Sequence, residues 1–247
     1  MDNSYINLIQ QLRAEDQGRP DVAAMVKQLE TAGMDNLHPA LTGWIDETDF
    51  GTMVKHPFVY TFLGPEGLLV DNANQFYAQK RAFRRRYLDE GNWNGYLYSH
   101  ERPWRMHALE KLWRRKRITV EQLRELLASM WIDTEAPQSN QAEPLHLFRE
   151  AGFTTDDPQG WAKLAKQKAM VLYRGVDYSF ELTMDGPSWT RSKKTAEFFA
   201  YRFGKQGDVF KYVAKPDEAL AWMSGRGETE VILDFARTSD ASRIVKL

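Results

Sequence analysis

The chain has 247 residues, 43% hydrophobic and 27% charged, proportions ordinary for one large or two modest globular domains. A formal net charge of −1 excludes a globally basic nucleic-acid binder, and the lack of cysteine excludes disulfides, thiolate metal sites and cysteine nucleophiles. No basic segment followed by an apolar run opens the chain, and no apolar stretch nears the ~20 residues that span a bilayer. The expectation is a cytoplasmic protein with no membrane partner, or one delivered by a route that leaves no such mark.

The N-terminal part reads as mostly helical. INLIQQLRA and DVAAMVKQLETAG have helical spacing, the second opening on Pro20 and Asp21 and stopping at Gly33. HPFVYTFLGPEG reads as a short strand ending in a turn. Two helices come next, NANQFYAQKRAFRRRYLDEG and RPWRMHALEKLWRRKR. A third, TVEQLRELLASMW, has Thr119 and Gln122 at capping-box spacing. Residues 80–117 hold twelve Lys and Arg against four Asp and Glu, interleaved with aromatics from Phe83 to Trp113. That composition suits a single-stranded nucleic-acid surface, but equally two amphipathic helices with buried aromatics; the spacing of Phe83 with Tyr87 and of Leu109 with Leu112 and Trp113 favours the helices. His100 and His107 are expected to be structural rather than metal ligands. No P-loop, dinucleotide-binding fingerprint or nucleophile elbow is present.

The polar stretch DTEAPQSNQAEP is the best linker, which puts a boundary near residue 140 and predicts an α+β protein: a mostly helical region over 1–140, then a compact domain over 141–247. In that second part, one or two short helices over 145–168 precede the strand AMVLYRGV. SWT leads into the helix SKKTAEFFAYRF, and DVFKYVA is a strand. DEALAWMSG reads as a short helix, TEVILDF as a strand and RIVKL as a last strand. Glu228 and Glu230 flank one threonine, and on an extended chain such positions share a side.

Three motifs thus occur in order: Tyr173-Arg174-Gly175 ending a strand, Ser188-Trp189-Thr190 before a helix, and Glu228-Thr229-Glu230 starting a strand behind Gly225 and Gly227. Over about residues 145–247 this pattern resembles the ADP-ribosyltransferase superfamily, in its arginine–serine–glutamate class. The resemblance implies a domain of mixed strands and short helices around a cleft for NAD⁺, used as co-substrate without a metal. It implies that Glu230 stabilises the ribose cation left when nicotinamide departs, a cation akin to that of glycoside hydrolysis. It gives Arg174 the phosphates and Ser188 the orientation of Glu230 and the ribose, with Tyr173, Gly175 and Thr190 beside them. Phe198, Phe199 or Tyr201 would wall the nicotinamide, and Trp189 is either wall or core. Because the motifs are crowded into a short span, upstream helices are expected to help complete the cleft.

Glu228 would draw a proton from the acceptor. That favours protein arginine, whose guanidinium stays protonated, while the basic aromatic segment favours RNA or single-stranded DNA bases. Water as acceptor (NAD⁺ glycohydrolysis) and a non-catalytic binding role on the same scaffold are the other readings. By family analogy the chain would be a toxin or a defence or phage-conflict effector, with a neutralising antitoxin or immunity protein as partner.

Overall fold

The computed structural model describes residues 32–49, 51–133, 144–179, 182–202, 206–227 and 229–247, with scattered helical residues between 7 and 30. The two helices expected before Gly33 therefore lie largely outside the described residues, and so does most of the linker. Two compact units are present, residues 1–104 and 105–247. Both helices and sheets are present, as an α+β protein requires. Among the described residues no helix is long and apolar enough to cross a membrane.

In the first unit the helix α1 (Pro39–Thr42) precedes a three-stranded antiparallel sheet of β1 (Ile45–Thr48), β2 (Gly51–His56) and β3 (Val59–Phe62). Of these strands the sequence pattern predicts only β3. The stretch GTMVKH has a strand's alternation, but it is short and carries a lysine, so the pattern is weak. Helix α2 (Val70–Glu90) buries Val70, Ala73 and Tyr77 on the core of Leu37, Leu41, Val54, Val59 and Leu63, and ends where Gly91 turns left-handed at φ 66°. Past Tyr77 the helix is largely exposed, Phe83 included. Several of its cations have partners within the unit. Arg84 lies over the rings of Phe58 and Tyr96, Arg86 over Phe83 and Tyr87, and Lys80 faces Glu101 at 3.7 Å. Helices α3 (Trp93–Tyr98) and α4 (Arg102–Arg114) come next, α4 running across the junction of the units. His100 is buried, its Nδ1 2.8 Å from Tyr96 O.

The unit division lies upstream of residue 140 because the next helix packs with elements later in the chain. Helix α5 (Val120–Asp133) opens on the expected capping box, with Gln122 Oε1 accepting from Thr119 N and Thr119 Oγ1 from Gln122 N. Arg124 donates twice to Ala151 O at the end of α6 (Leu145–Ala151), and Trp131 meets Phe148 edge to face at 5.2 Å. Arg105 pairs with Asp133. Then come β4 (Thr154–Thr155) and α7 (Pro158–Leu164), whose cap Asp157 accepts from Gly160 N.

A seven-stranded sheet fills the rest, in the order β10-β7-β5-β6-β9-β8-β4. Its strands are β5 (Met170–Asp177), β6 (Ser188–Thr190), β7 (Gly207–Ala214), β8 (Ala219–Met223), β9 (Glu230–Leu233) and β10 (Val245–Lys246), with α8 (Lys193–Tyr201) after β6. Residues 219–223 form a strand, not the expected helix. ALAWM has good helix propensity, but it lies between β9 and β4, and pairing on both sides overrides propensity. Helix α8 sits very close to the sheet. A Cβ on Gly175 would stand 1.9 Å from Ala196 O, and one on Gly207 would stand 1.8 Å from Ala200 O.

Two buried carboxylates anchor the periphery. Asp234, fully buried, takes a bidentate pair from Arg149 at 2.6 and 2.8 Å; Glu218 takes Arg243 at 2.7 Å, and also Tyr212. Burial pushes both carboxyls up, but their arginine partners and other hydrogen bonds outweigh it and hold both below the usual range.

Folded-state values below the unfolded ones (about 3.9 and 4.3) give stability that is whole above those values and lost as pH falls through the folded ones. The urea midpoint is therefore expected to drop between pH 5 and pH 2 (roughly,), and less steeply in Asp234→Asn. Gly175→Ala should destabilise by about 1–3 kcal/mol or more, read as a lower thermal midpoint, because helix backbone rather than a flexible side chain must move.

Candidate active site

The three motifs arrive on three neighbouring strands. Tyr173 of β5 stands opposite Thr190 of β6, and Thr190 opposite Glu230 of β9. Ser188 stands opposite Ile232, two residues beyond Glu230, so Ser188 and Glu230 are diagonal neighbours on one face. The Ser188 hydroxyl donates to Glu230 Oε1. Glu230 Oε2 accepts from Trp131 Nε1 at 2.9 Å, a contact supplied by the last turn of α5.

Arg174 is 5% exposed. Its Nε donates to Thr183 O at 3.0 Å and its Nη1 to Ser188 O at 2.8 Å, so the guanidinium fastens both the 183 loop and β6 to β5. Gly186 lies against its outer edge; a Cβ there would stand 2.2 Å from Nη2. Burial lowers the Arg174 pKa to about 10, opposed by the charges of Glu230 and Asp185, and at neutral pH the group stays cationic. These two bonds go to main-chain carbonyls.

The segment before β9 is held from two sides. Asp156, just ahead of α7, accepts Ser224 N on one oxygen at 2.7 Å and Gly225 N on the other at 2.8 Å. Ile132 of α5 packs where a Cβ on Gly225 would fall, 2.9 Å away. Gly227 has φ 70° and Thr229 φ 46°. Left-handed backbone at a β-branched residue is rare, and the strand begins only at Glu230. The rule that alternate residues of an extended chain share a side therefore does not hold across Thr229, and the pairing of Glu228 with Glu230 cannot be read from it. Glu228 itself lies outside the described residues.

The remaining predicted residues divide between site and scaffold. Thr190 is buried, and its hydroxyl accepts from Ser192 N at 3.1 Å, leading into α8. Tyr173 packs on Ala196, Ala200 and Val209. Gly175 serves the approach of α8. Trp189 is core: its indole is buried, donates to Gly186 O at 2.9 Å and lies near the rings of Tyr212 and Phe235. Phe198 is 57% exposed, under Arg202 and edge-on to Phe199, and neither of those contacts joins it to the Ser188–Glu230 cluster; Tyr201 is also exposed. Sequence reasoning passes over Trp131 and Asp156. The signal for the first is an aromatic at the end of a capped helix just ahead of the linker; Asp156 reads as one more polar residue before a helix cap.

Comparison with protein-family models, with curated proteins and with solved structures gives no match to this chain. The site's meaning rests on its own geometry. If Asp156 holds the 224–225 turn, Asp156→Ala should speed amide exchange at Ser224 and Gly225 roughly 5- to 30-fold, as loss of about 1–2 kcal/mol dictates, while β5 amides stay protected.

Proposed function

We propose that the chain is a mono-ADP-ribosyltransferase that splits NAD⁺ at the nicotinamide–ribose bond and passes ADP-ribose to a macromolecular acceptor. The observation that carries this reading is the hydroxyl-to-carboxylate bond between Ser188 and Glu230 on adjacent strands, with the Arg174 cation fixed behind them. A carboxylate held in place by protein donors suits a reaction whose transition state is cationic, because its negative charge is already aimed before the charge develops.

The C1′–N bond breaks with its electron pair leaving on nicotinamide, and the ribose becomes cationic beside Glu230. An acceptor nitrogen then donates its lone pair to C1′ and releases a proton to a nearby base. Glu228, by its place in the sequence, is the candidate for that base, and it supports arginine as the acceptor. The exposed aromatic and basic side chains of α2, Phe83, Arg81 and Arg85 among them, support nucleic acid as the alternative.

Incubation with NAD⁺ labelled in the adenylate half, followed by separate protease and nuclease digestion, tests both. Label removed by protease supports a protein acceptor; label removed only by nuclease ends the arginine proposal. Absence of both label transfer and nicotinamide release would defeat the transferase reading, and nicotinamide release with no labelled macromolecule would point to glycohydrolysis. Glu230→Gln is expected to lower nicotinamide release by about 100-fold or more with an unchanged thermal midpoint, and Ser188→Ala by a smaller factor.

A further inference from the structure

We infer that Trp131 is a positioning residue for the Glu230 carboxylate, so that α5, which lies upstream of all three motifs, is part of the catalytic apparatus. This rests on the transferase reading above. The indole Nε1–H donates to Glu230 Oε2 at 2.9 Å while Ser188 holds Oε1, so the two donors grip opposite oxygens and fix the rotation of the carboxylate plane. A carboxylate offers roughly four acceptor directions, so two protein donors are compatible with a third from a ribose hydroxyl.

The indole is itself held. Its ring sits edge-on to Phe148 of α6. The next residue, Ile132, packs against Gly225, and Arg105 pairs with Asp133 at the helix end. The last turn of α5 thus touches both ends of the 225–230 segment, at Gly225 and at Glu230. An orienting donor on a rigid helix is what an aimed carboxylate requires, because a loop residue would surrender the angle to its own motion. Tryptophan also suits the place chemically, since its N–H donates without accepting and stays neutral, so it orients the carboxylate without cancelling the negative charge that faces the ribose cation.

The test separates donor from bulk. The imidazole of histidine superposes on the five-membered ring of indole, with Nε2 where Nε1 stands, so Trp131→His keeps the donor and loses the second ring. Trp131→Phe keeps an apolar ring and loses the donor. With the full chain, nicotinamide release from NAD⁺ is measured at varied NAD⁺, beside the thermal midpoint of each variant. Trp131→Phe is expected to lower kcat about 10- to 100-fold, the range for outer partners that orient a reactive group, with little change in KM, and Trp131→His to recover part of the loss. Variants that match the wild-type kcat, or a histidine variant no better than phenylalanine, would overturn the positioning role while leaving the transferase standing. A wild-type chain that releases no nicotinamide would overturn the reading beneath it, and this inference with it.

Discussion

A single buried guanidinium ties the larger unit together. Strand β6 is three residues long, and although it pairs with β9 along its length it meets β5 at one register pair, little hydrogen bonding on that side. Arg174 makes up the deficit by reaching from β5 to Ser188 O and Thr183 O, while glycine at 186 leaves room for its outer edge. Because Ser188 both receives Arg174 through its carbonyl and binds Glu230 through its hydroxyl, the cation fixes the position of the hydroxyl that orients the carboxylate. The charge then acts across the strand. Arginine is suited to this because it keeps its proton even when burial lowers its pKa to about 10.

How the sequence foreshadows this varies with the kind of information each element needs. AMVLYRGV, DVFKYVA and TEVILDF announce their strands through their apolar residues, and Thr119 with Gln122 announces a helix start, because those signals are local. ALAWM misleads for the opposite reason: nothing in its five residues reveals that β9 and β4 flank it. Arg174 and Ser188 are legible as a pair of motif residues, but not as donor and carbonyl of one bond. Trp131 is 99 residues from Glu230, and no spacing rule spans that distance. Its participation comes only from the folding of α5 against α6.

The glycines of the motifs also take on different meanings in three dimensions. Gly175, which beside Arg174 reads as part of a ligand site, is needed where α8 presses its carbonyls onto β5, and Gly207 repeats the device on β7. Gly225 makes room for Ile132 rather than supplying looseness. At Gly175, Gly207 and Gly225 apparent flexibility in the sequence is, in the fold, close contact with a neighbour, while Gly227 stands in open space at φ 70°.

Thr229 gives the segment ahead of β9 a different character. Its left-handed backbone costs about 1–3 kcal/mol, which the surrounding fold, including the bond from Arg191 N to Thr229 O at 3.4 Å, must offset. A β-branched residue held left-handed thus marks the point where the incoming turn stops and β9 starts, directly ahead of the carboxylate at 230.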